Sequence, residues 1–589
     1  MVRNKRKNLK VLLILLSILA SLKMLFFAVG MDEEYQLVMS YRNAMGDRLF
    51  LDMWEPHQSS AFLCTLLMKP YLMLFGTTGI IIYLRVWGTL LHLGVSFYLY
   101  KTLRHFVSED HAWLLALLYY NIIPKQIILP EFGIMQVWFY TLLSLFLMKY
   151  SMECKIRYLI LSAVALALNV LSYPSCLILF LFALLWLARF SGKHKWRDMG
   201  IFTAVCGACA AAYLGMLFSY TPPIQLIETL SNILSGDITH SLTLTDKLLL
   251  FGKKTLYMAV LWLVCRLLAR AVARRKQLAP PITDALTILP ACAIQLFCWI
   301  VLDTGYEYLN LHLAVAAAAG ISVYKRNHGK QGHEPKSVLL YYGILGAVLS
   351  LLGVVYLTDI TLTESIPHAM PAAFCGAILL ILSLKKEAGT KETLTKESLT
   401  KESLTKESLV KESLKKVNNG TSDRWIYATL AVWCLTAVFG KGYTLRSGTG
   451  YNNVLQSGGI LREGPAAGTI SNYIGAYIYN CDYEDWQSYV EDGDRVLIMV
   501  DQVMSLGTIQ YLFKDVEISH FSIVNPTAYD ERLLEYWELY PEKYPNVIIV
   551  DCWYGQLMTD PEGWLMQYIE NDFGYTQVND GRYIRIYRR

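Results

Sequence analysis

The sequence predicts a polytopic α-helical membrane protein of about 13 transmembrane helices, with a small extracytoplasmic α/β domain at its C-terminus. Of its 589 residues, 54% are hydrophobic and only 17% are charged, and the mean hydropathy is +0.34. A soluble chain of this length carries more charge and fewer long apolar runs. The basic residues lie between apolar segments, so the net charge of +5 does not indicate a nucleic-acid partner.

The first apolar segment, 11–30, is long enough to cross a bilayer, for which about 20 residues suffice. Lys23 interrupts this segment and no small-residue cleavage site follows it, so we expect a retained helix rather than a signal peptide. Twelve further segments have similar apolarity and lie near 77–100, 111–129, 132–150, 157–172, 174–190, 199–218, 252–270, 283–302, 308–324, 337–357, 367–384 and 425–440.

Charges in the connecting loops predict one orientation, because cytoplasmic loops carry the excess of Lys and Arg. The predicted outer loops are acidic or neutral. An odd number of spans places the N-terminus in the cytoplasm and the C-terminal stretch outside, in a multi-pass protein of the cell membrane. The number of spans stays open by one, because Pro124 and Pro130 break the helical pattern around 111–131. The basic loops are 101–104, 149–157, 193–197, 266–276, 325–336 and 385–386.

Composition divides the chain further. A pentapeptide repeat of the type Thr-Lys-Glu-Ser-Leu fills 387–414, and a period of five keeps no continuous apolar face on a helix. We therefore expect a solvated cytoplasmic linker there. The predicted parts are a transmembrane module at 1–384 with an acidic first outer loop at 31–76, the linker at 385–424, a last transmembrane helix at 425–440 and an extracytoplasmic domain at 441–589.

The outer domain reads as strands alternating with helices, a pattern typical of a small α/β domain. Strands are predicted at 495–500, 516–524, 546–551 and 583–587, and helices at 529–540 and 563–571. A disulfide between Cys481 and Cys552 is left open by the sequence.

Carboxylates are concentrated just after the first span, at the membrane surface. Asp32 and Glu33 follow the membrane exit directly, and Gly46-Asp47 comes later in the same outer loop. Arg85 lies several residues into the second span, where an Arg is rare without a partner. Ionisable groups held against lipid indicate a functional site.

This order of residues resembles the GT-C class of membrane glycosyltransferases, and within it the protein O-mannosyltransferase (glycosyltransferase family 39) and lipid A aminoarabinose transferase groups. In that class an Asp-Glu pair follows the first helix, a Gly-Asp and an acidic, Pro-rich element come later in the loop, and an Arg opens the second helix. The resemblance is clearest over 10–150. Where those groups often show Glu-Lys-Pro-Pro or His-Pro-Pro, this chain has Glu55-Pro56-His57-Gln58.

The resemblance implies a polyprenyl-phosphate-sugar-dependent hexosyl or pentosyl transferase that works with inversion. Its partners would be a polyprenyl-phosphate-linked sugar donor, membrane lipid and a glycan, lipid or protein acceptor. One carboxylate must take the proton of the attacking hydroxyl, and Asp32 is the candidate. Glu33 would raise the proton affinity of Asp32 or ligate a cation, unless it is a solvent-facing loop charge.

The acceptor is expected to contact Glu55, His57 and Gln58. Alternatively, Glu55 and His57 complete a metal site with Asp32, so a divalent cation stays open as a cofactor. Two roles stay open for Arg85: its side chain faces the donor phosphate, or it pairs with an acid of the first loop.

Three further residues are candidate substrate contacts. Lys125 is a second phosphate ligand, or a lysine that snorkels to the headgroups. Glu131 lies where related transferases have another acidic residue; the alternative is a charge at a helix end. Tyr306 is a candidate sugar or lipid contact at an outer helix end. The alternative function is a multi-pass transporter or flippase of a lipid-linked or envelope component. Transport pathways usually place polar groups or broken helices near the middle of the membrane, whereas charged residues inside the later spans of this chain are sparse, which argues against this alternative.

Overall fold

The computed structural model describes two regions, a large helical part and a C-terminal part built around a mixed sheet. This confirms the predicted fold class of a polytopic α-helical membrane protein with a small α/β domain. The described residues are 2–236, 243–302, 311–328, 335–356, 362–399, 406–447, 450–499, 507–523, 531–553, 556–557, 566, 569 and 574–589.

The helices run in chain order through the described residues. They are α1 (Val2–Phe26), α2 (Met31–Met45), α3 (Gln58–Phe75), α4 (Ile80–Leu103), α5 (Glu109–Asn121), α6 (Phe132–Glu153), α7 (Ile156–Ser172), α8 (Ile178–Phe190), α9 (Lys195–Phe218), α10 (Pro223–Gly236), α11 (Leu244–Lys276), α12 (Pro280–Leu286), α13 (Ile288–Ile300), α14 (Leu311–His328), α15 (Pro335–Tyr356), α16 (Leu362–Ser365), α17 (Met370–Leu399), α18 (Lys406–Tyr443), α19 (Tyr473–Tyr489) and α20 (Glu531–Leu539).

Each predicted span has a helix, but not each helix is long enough to cross a bilayer. Within the described residues, nine segments have the length and apolarity of a span, and α7 and α8 are shorter apolar helices. The nine are Arg6–Phe26, Ile80–Leu103, Phe132–Glu153, Gly192–Phe218, Leu244–Lys276, Pro280–Ile300, Pro335–Tyr356, Ile366–Leu384 and Asp423–Tyr443.

The prediction of one continuous span over 111–129 is wrong. Helix α5 has 13 residues and ends at Asn121, and the chain then continues in extended conformation with one short turn at Pro124–Gln126. Pro124 lacks a backbone donor and disfavours helical geometry in the residue before it, which accounts for the break.

The first outer loop, 31–76, is itself largely helical, since α2 and α3 fill most of it. Most of α2 is buried, and Arg42 joins it to the C-terminal part of the chain. The guanidinium donates to the Asp47 carboxylate at 2.7 Å and to the carbonyl oxygens of Asp52 and His520, also at 2.7 Å each. Lys543 reaches Asp47 from the other side at 2.7 Å. Asp47 is therefore a structural anchor between loop and outer domain.

The outer domain is organised around one mixed sheet of order β6-β5-β7-β10-β9, in which β5 pairs in parallel with β6 and β7, and β10 pairs antiparallel with β7 and β9. The strands are β1 (Thr444–Ser447), β2 (Gly450–Asn453), β3 (Gly459–Ile460), β4 (Ile470–Ser471), β5 (Arg495–Met499), β6 (Glu517–Ile518), β7 (Val547–Trp553), β8 (Gln556–Leu557), β9 (Thr576–Gln577) and β10 (Ile584–Arg588).

Predictions for this domain hold in part. Three predicted strands are confirmed as β5, β7 and β10, and the helix at 529–540 as α20, whereas the strand at 516–524 shrinks to the two residues of β6. The helix predicted at 563–571 lies outside the described residues apart from Met566 and Ile569. Cys481 and Cys552 both lie in the described residues and are not joined by a disulfide.

The first loop also completes the core of the outer domain. Trp54 packs 5.2 Å from the ring of Phe521 and 5.6 Å from that of Tyr536, and its backbone N–H donates to the Phe521 carbonyl at 2.9 Å. A buried aromatic side chain of this size contributes a large share of apolar burial. The outer domain therefore packs directly against the first loop.

Candidate functional site

Three consecutive acids at the start of α2 point in three different directions. Their position in the first turn is favourable, because the positive end of the helix dipole lies there. Asp32 meets Lys125 and Arg446, Glu33 meets Arg85, and Glu34 accepts a hydrogen bond from Thr508 at 3.3 Å. The local sequence thus places three carboxylates within one turn and gives each a separate partner.

Asp32 is the partly accessible member of this group. Its Oδ2 lies 3.1 Å from Lys125 Nζ and 3.9 Å from an Arg446 nitrogen, and 16% of its side chain is exposed. Burial opposes ionisation, but the two cations outweigh it and hold the pKa of Asp32 below its ordinary value. Asp32 is therefore an anion at neutral pH, the protonation state that a proton acceptor needs.

Glu33 and Arg85 form a buried pair. Arg85 Nε donates to Glu33 Oε1 at 2.7 Å, and its Nη2 donates to Oε2 at 2.6 Å, with both side chains at most 4% exposed. The guanidinium also donates to the carbonyl oxygens of Leu25, Phe27 and Ala28, at the end of α1. Of the two alternatives for Arg85, the structure therefore shows pairing with a first-loop acid.

Lys125 reaches Asp32 from a constrained turn. It has φ of +52° and the next residue, Gln126, has φ of +56°, both in the left-handed region that ordinary residues seldom occupy. Lys125 Nζ also lies 4.3 Å from the centre of the Phe132 ring, a cation–π contact. Strained residues of this kind persist where the surrounding structure fixes them.

One glycine lets that segment pass close to α4. A Cβ at Gly88 would come within 1.7 Å of the Ile128 carbonyl oxygen, whereas a Cβ at Gly94, on the same helix, would meet nothing within 4 Å. Backbone cannot yield as the end of a flexible side chain does. The absence of a side chain at Gly88 therefore allows the segment that carries Lys125 to pack closely against α4.

Gly88→Ala is expected to destabilise the protein by about 1–3 kcal/mol, the usual cost of overpacking. Gly94→Ala is the matched control and should be neutral or slightly stabilising, because Ala favours a helix more than Gly does. Thermal unfolding of the two purified variants in detergent measures the difference. Equal melting temperatures for both variants would show that the segment does not need this close approach.

Glu131 caps α6 beside the same site. Its two carboxylate oxygens accept the backbone N–H groups of Gly133 and Ile134 at 2.6 Å each. Burial raises the pKa of Glu131 to about 7, although the charge of Lys125 opposes this. Glu131 is thus a helix cap that titrates near neutrality.

The raised pKa of Glu131 has a consequence for stability. The folded protein holds the proton of Glu131 more tightly than the unfolded chain, in which the pKa is near 4.5. This stabilisation is complete below that pKa and is lost as the pH rises through about 7, which lowers the free energy of unfolding by about 3 kcal/mol. We expect the melting temperature of Glu131→Gln to fall less than that of wild type between pH 5 and pH 8. Other titrating acids affect both proteins alike, so parallel melting curves would contradict this role of Glu131.

The end of the first loop supports the site structurally. Glu55 is fully buried and accepts hydrogen bonds from Ser522 Oγ at 3.2 Å and from the backbone N–H of Ile523. Gln58 accepts from the Phe50 N–H at 2.6 Å. His57 stacks on the Phe132 ring with 4.2 Å between centres and an angle of 4°. Phe132 therefore lies between His57 and Lys125.

These contacts bear on the remaining candidates. In the described part of the chain, no three Asp, Glu, His or Cys side chains come together in a way that could hold a metal ion. Tyr306 lies outside the described residues.

Sequence reasoning missed Arg446 and Phe132. Arg446 lies in β1, three residues beyond the last span, yet its side chain returns to Asp32. In the orientation predicted from the loop charges, a basic residue just beyond the last membrane helix departs from the positive-inside rule, and this departure is the signal in the sequence that marks Arg446. Phe132 follows Glu131 in an apolar run and carries no such signal.

Comparison with known proteins returns no matching family model and no matching curated protein. Among solved structures, the chain is similar to ArnT from Cupriavidus metallidurans bound to undecaprenyl phosphate, with a TM-score of 0.49, 10% identity, and coverage of 98% of this chain and 97% of that one. It is also similar to the same protein in the apo state, with a TM-score of 0.46, 13% identity, and coverage of 99% and 98%.

A further match is the Archaeoglobus fulgidus oligosaccharyltransferase in complex with Zn and sulfate, with a TM-score of 0.44, 13% identity, and coverage of 92% of this chain and 67% of that one. At these identities and TM-scores, the likeness says nothing about individual residues.

Proposed function

We propose that the protein is a membrane-embedded glycosyltransferase of the GT-C class. It transfers a hexosyl or pentosyl group from a polyprenyl-phosphate donor to the hydroxyl of a glycan, lipid or protein acceptor, with inversion, on the extracytoplasmic face. In this orientation the N-terminus is cytoplasmic and the C-terminal domain lies outside. The observation that carries the proposal is the Asp32 carboxylate, which is anionic, partly exposed and flanked by two cations at the outer end of α1.

Asp32 acts as the general base. The acceptor hydroxyl becomes more acidic as its oxygen attacks the anomeric carbon, and the carboxylate takes its proton at that stage. Glu33 is not equivalent, since both of its oxygens are occupied by Arg85. Its role is to fix the start of α2, and so the position of Asp32, against the end of α1.

Lys125 and Arg446 stabilise the leaving group. The bond from the anomeric carbon to the phosphate oxygen breaks, and the lipid phosphate leaves as an anion that needs cationic donors. Both side chains already lie beside Asp32, at 3.1 Å and 3.9 Å. An arriving phosphate would share these cations with Asp32, which would raise the proton affinity of the carboxylate towards that of a useful base.

The aromatic wall of Phe132 and His57 packs beside Lys125 and is buried, with each side chain at most 4% exposed. Their stacked rings lie next to Lys125, and the ring of Tyr173 lies 4.7 Å from that of His57. Glu55 and Gln58 support this wall through their contacts to the outer domain and the first loop.

The test uses full-length protein reconstituted in liposomes with a panel of radiolabelled polyprenyl-phosphate sugars and a membrane extract as acceptor. Release of polyprenyl phosphate with transfer of label to the extract is the expected result. A transporter or flippase would instead move an intact labelled donor across the bilayer without cleaving it. Such movement without release, for every donor tested, would overturn the proposal.

A further inference from the structure

An apolar patch is exposed on the outer domain. Its five side chains are each between 50% and 80% exposed, and they are Leu455, Ile460, Tyr473, Ile474 and Tyr477. They belong to neighbouring segments, because α19 packs against β3 and a Cβ at Gly458 would lie 2.3 Å from the Tyr473 ring. Single exposed apolar side chains are ordinary, whereas a group of them marks a surface that meets a partner or a membrane.

The strand pair β3-β4 places one part of the apolar patch at the outer end of α1. Phe27 directly follows α1 and bridges to Ile470 in β4, and the Ala28 N–H donates to the Ile470 carbonyl at 2.7 Å. Ile460 in β3 pairs with Ile470. Since neighbouring strands lie about 4.8 Å apart, Ile460 is only about 10 Å from the end of α1.

Two further contacts fix the same region beside other membrane helices. Thr444 directly follows α18 and pairs with Asn453 in β2. Leu455 comes two residues later, and its N–H donates to the Asn453 side chain at 3.1 Å. The Gly464 carbonyl accepts the N–H of Gly79, one residue before α4, at 3.0 Å. The apolar patch therefore lies at the level where α1, α4 and α18 leave the membrane.

The exposed face of α19 changes from apolar to polar along the helix. At 3.6 residues per turn, positions 473, 477, 484 and 488 fall within about 60° of one another. Tyr473 and Tyr477 occupy this face near the start of α19, whereas Glu484 and Ser488 are exposed on it near the end. The apolar end is the one close to α1, because α19 begins three residues after Ile470. This order is typical of a helix that leaves a membrane surface and enters water.

We propose that the apolar patch lies in the interfacial layer of the membrane, in contact with the lipids around the outer ends of α1 and α18. The headgroup region extends about 5–8 Å beyond each side of the hydrocarbon core, a distance similar to that between Ile460 and the end of α1. Tyr suits this layer because its ring is apolar and its hydroxyl is polar. The contact fixes the height of the outer domain above the membrane, and it does not depend on the proposed sugar transfer.

The experiment measures which phase surrounds α19 in full-length protein in phosphatidylcholine nanodiscs. Nitroxide labels are attached to Tyr473→Cys and Tyr477→Cys, with Glu484→Cys and Ser488→Cys as matched controls on the same face. All four side chains are exposed, so these changes remove few contacts. Protein without an added cysteine supplies the background of the native thiols. Collisions with oxygen, which concentrates in lipid, are compared with collisions with a nickel chelate, which stays in water.

We expect the ratio of oxygen to nickel collisions to be several-fold higher at 473 and 477 than at 484 and 488. Equal ratios at all four positions, with nickel reaching each label, would place the apolar patch in water and overturn the proposal. Protection of 473 and 477 from both reagents would show that protein covers the apolar patch, either a second copy of this chain or another partner. That result would overturn the proposal as well.

Discussion

Asp32→Asn is expected to lower the turnover number for sugar transfer by about 10²- to 10⁴-fold, the usual contribution of a general base. The amide keeps the shape of the side chain but cannot accept the proton of the attacking hydroxyl. Donor binding should persist or tighten, because the carboxylate no longer competes with the phosphate for Lys125 and Arg446. Steady-state kcat and KM for the donor in liposomes separate the two effects.

The matched control for this variant is Glu535→Gln, which changes an exposed acid on α20 in the outer domain. Its kcat and KM should equal those of wild type. The melting temperature of Asp32→Asn must also be measured, so that misfolding is not read as lost catalysis. A folded Asp32→Asn protein with wild-type kcat would remove Asp32 as the base.

Arg85→Met is expected to destabilise the protein by about 3–5 kcal/mol, since it leaves Glu33 as a buried charge without its partner. Glu33→Met should cost a similar amount, because Arg85 is then buried without a carboxylate. The double variant should be much more stable than the sum of the two changes implies, as apolar replacements of a whole buried pair often cost little. The Leu25, Phe27 and Ala28 carbonyls then lose a donor, so recovery should be incomplete.

Unfolding of the four proteins in detergent gives the coupling energy directly. The control is Lys155→Met, which breaks an exposed pair with Glu153 and should leave stability almost unchanged. Additive losses in Arg85→Met and Glu33→Met would mean that the pair does not act as a unit. The position of Asp32 would then need another explanation.

Hydrophobic runs predicted the membrane part of the fold well. Helices such as α4 and α15 lie almost where the apolar segments 77–100 and 337–357 begin and end, because about 20 apolar residues have few other stable arrangements in a bilayer. Helix α5 departs from this rule at Pro124, and the extended chain that follows carries Lys125 into the site. The exception to the pattern is therefore the part that builds the site.

Pairings between distant residues could not be predicted from one sequence. Arg85 and Glu33 are 52 residues apart, and Arg446 approaches Asp32 because β1 packs against the Pro124–Gln126 turn. The sequence singled out Asp32, Glu33, Arg85 and Lys125 by charge and position, but not how they divide into pairs. Glu55 drew attention as an acid, yet its contacts to Ser522 and Ile523 depend on a domain whose packing no local pattern reveals.

The central claim is that Asp32 accepts the proton when sugar leaves the polyprenyl phosphate. A single turnover tests it most directly, with labelled donor bound to enzyme in liposomes and acceptor extract then added. Wild type should release polyprenyl phosphate within the first turnover, whereas Asp32→Asn should retain the bound donor intact over the same time. Release by Asp32→Asn at the wild-type rate would contradict the assignment.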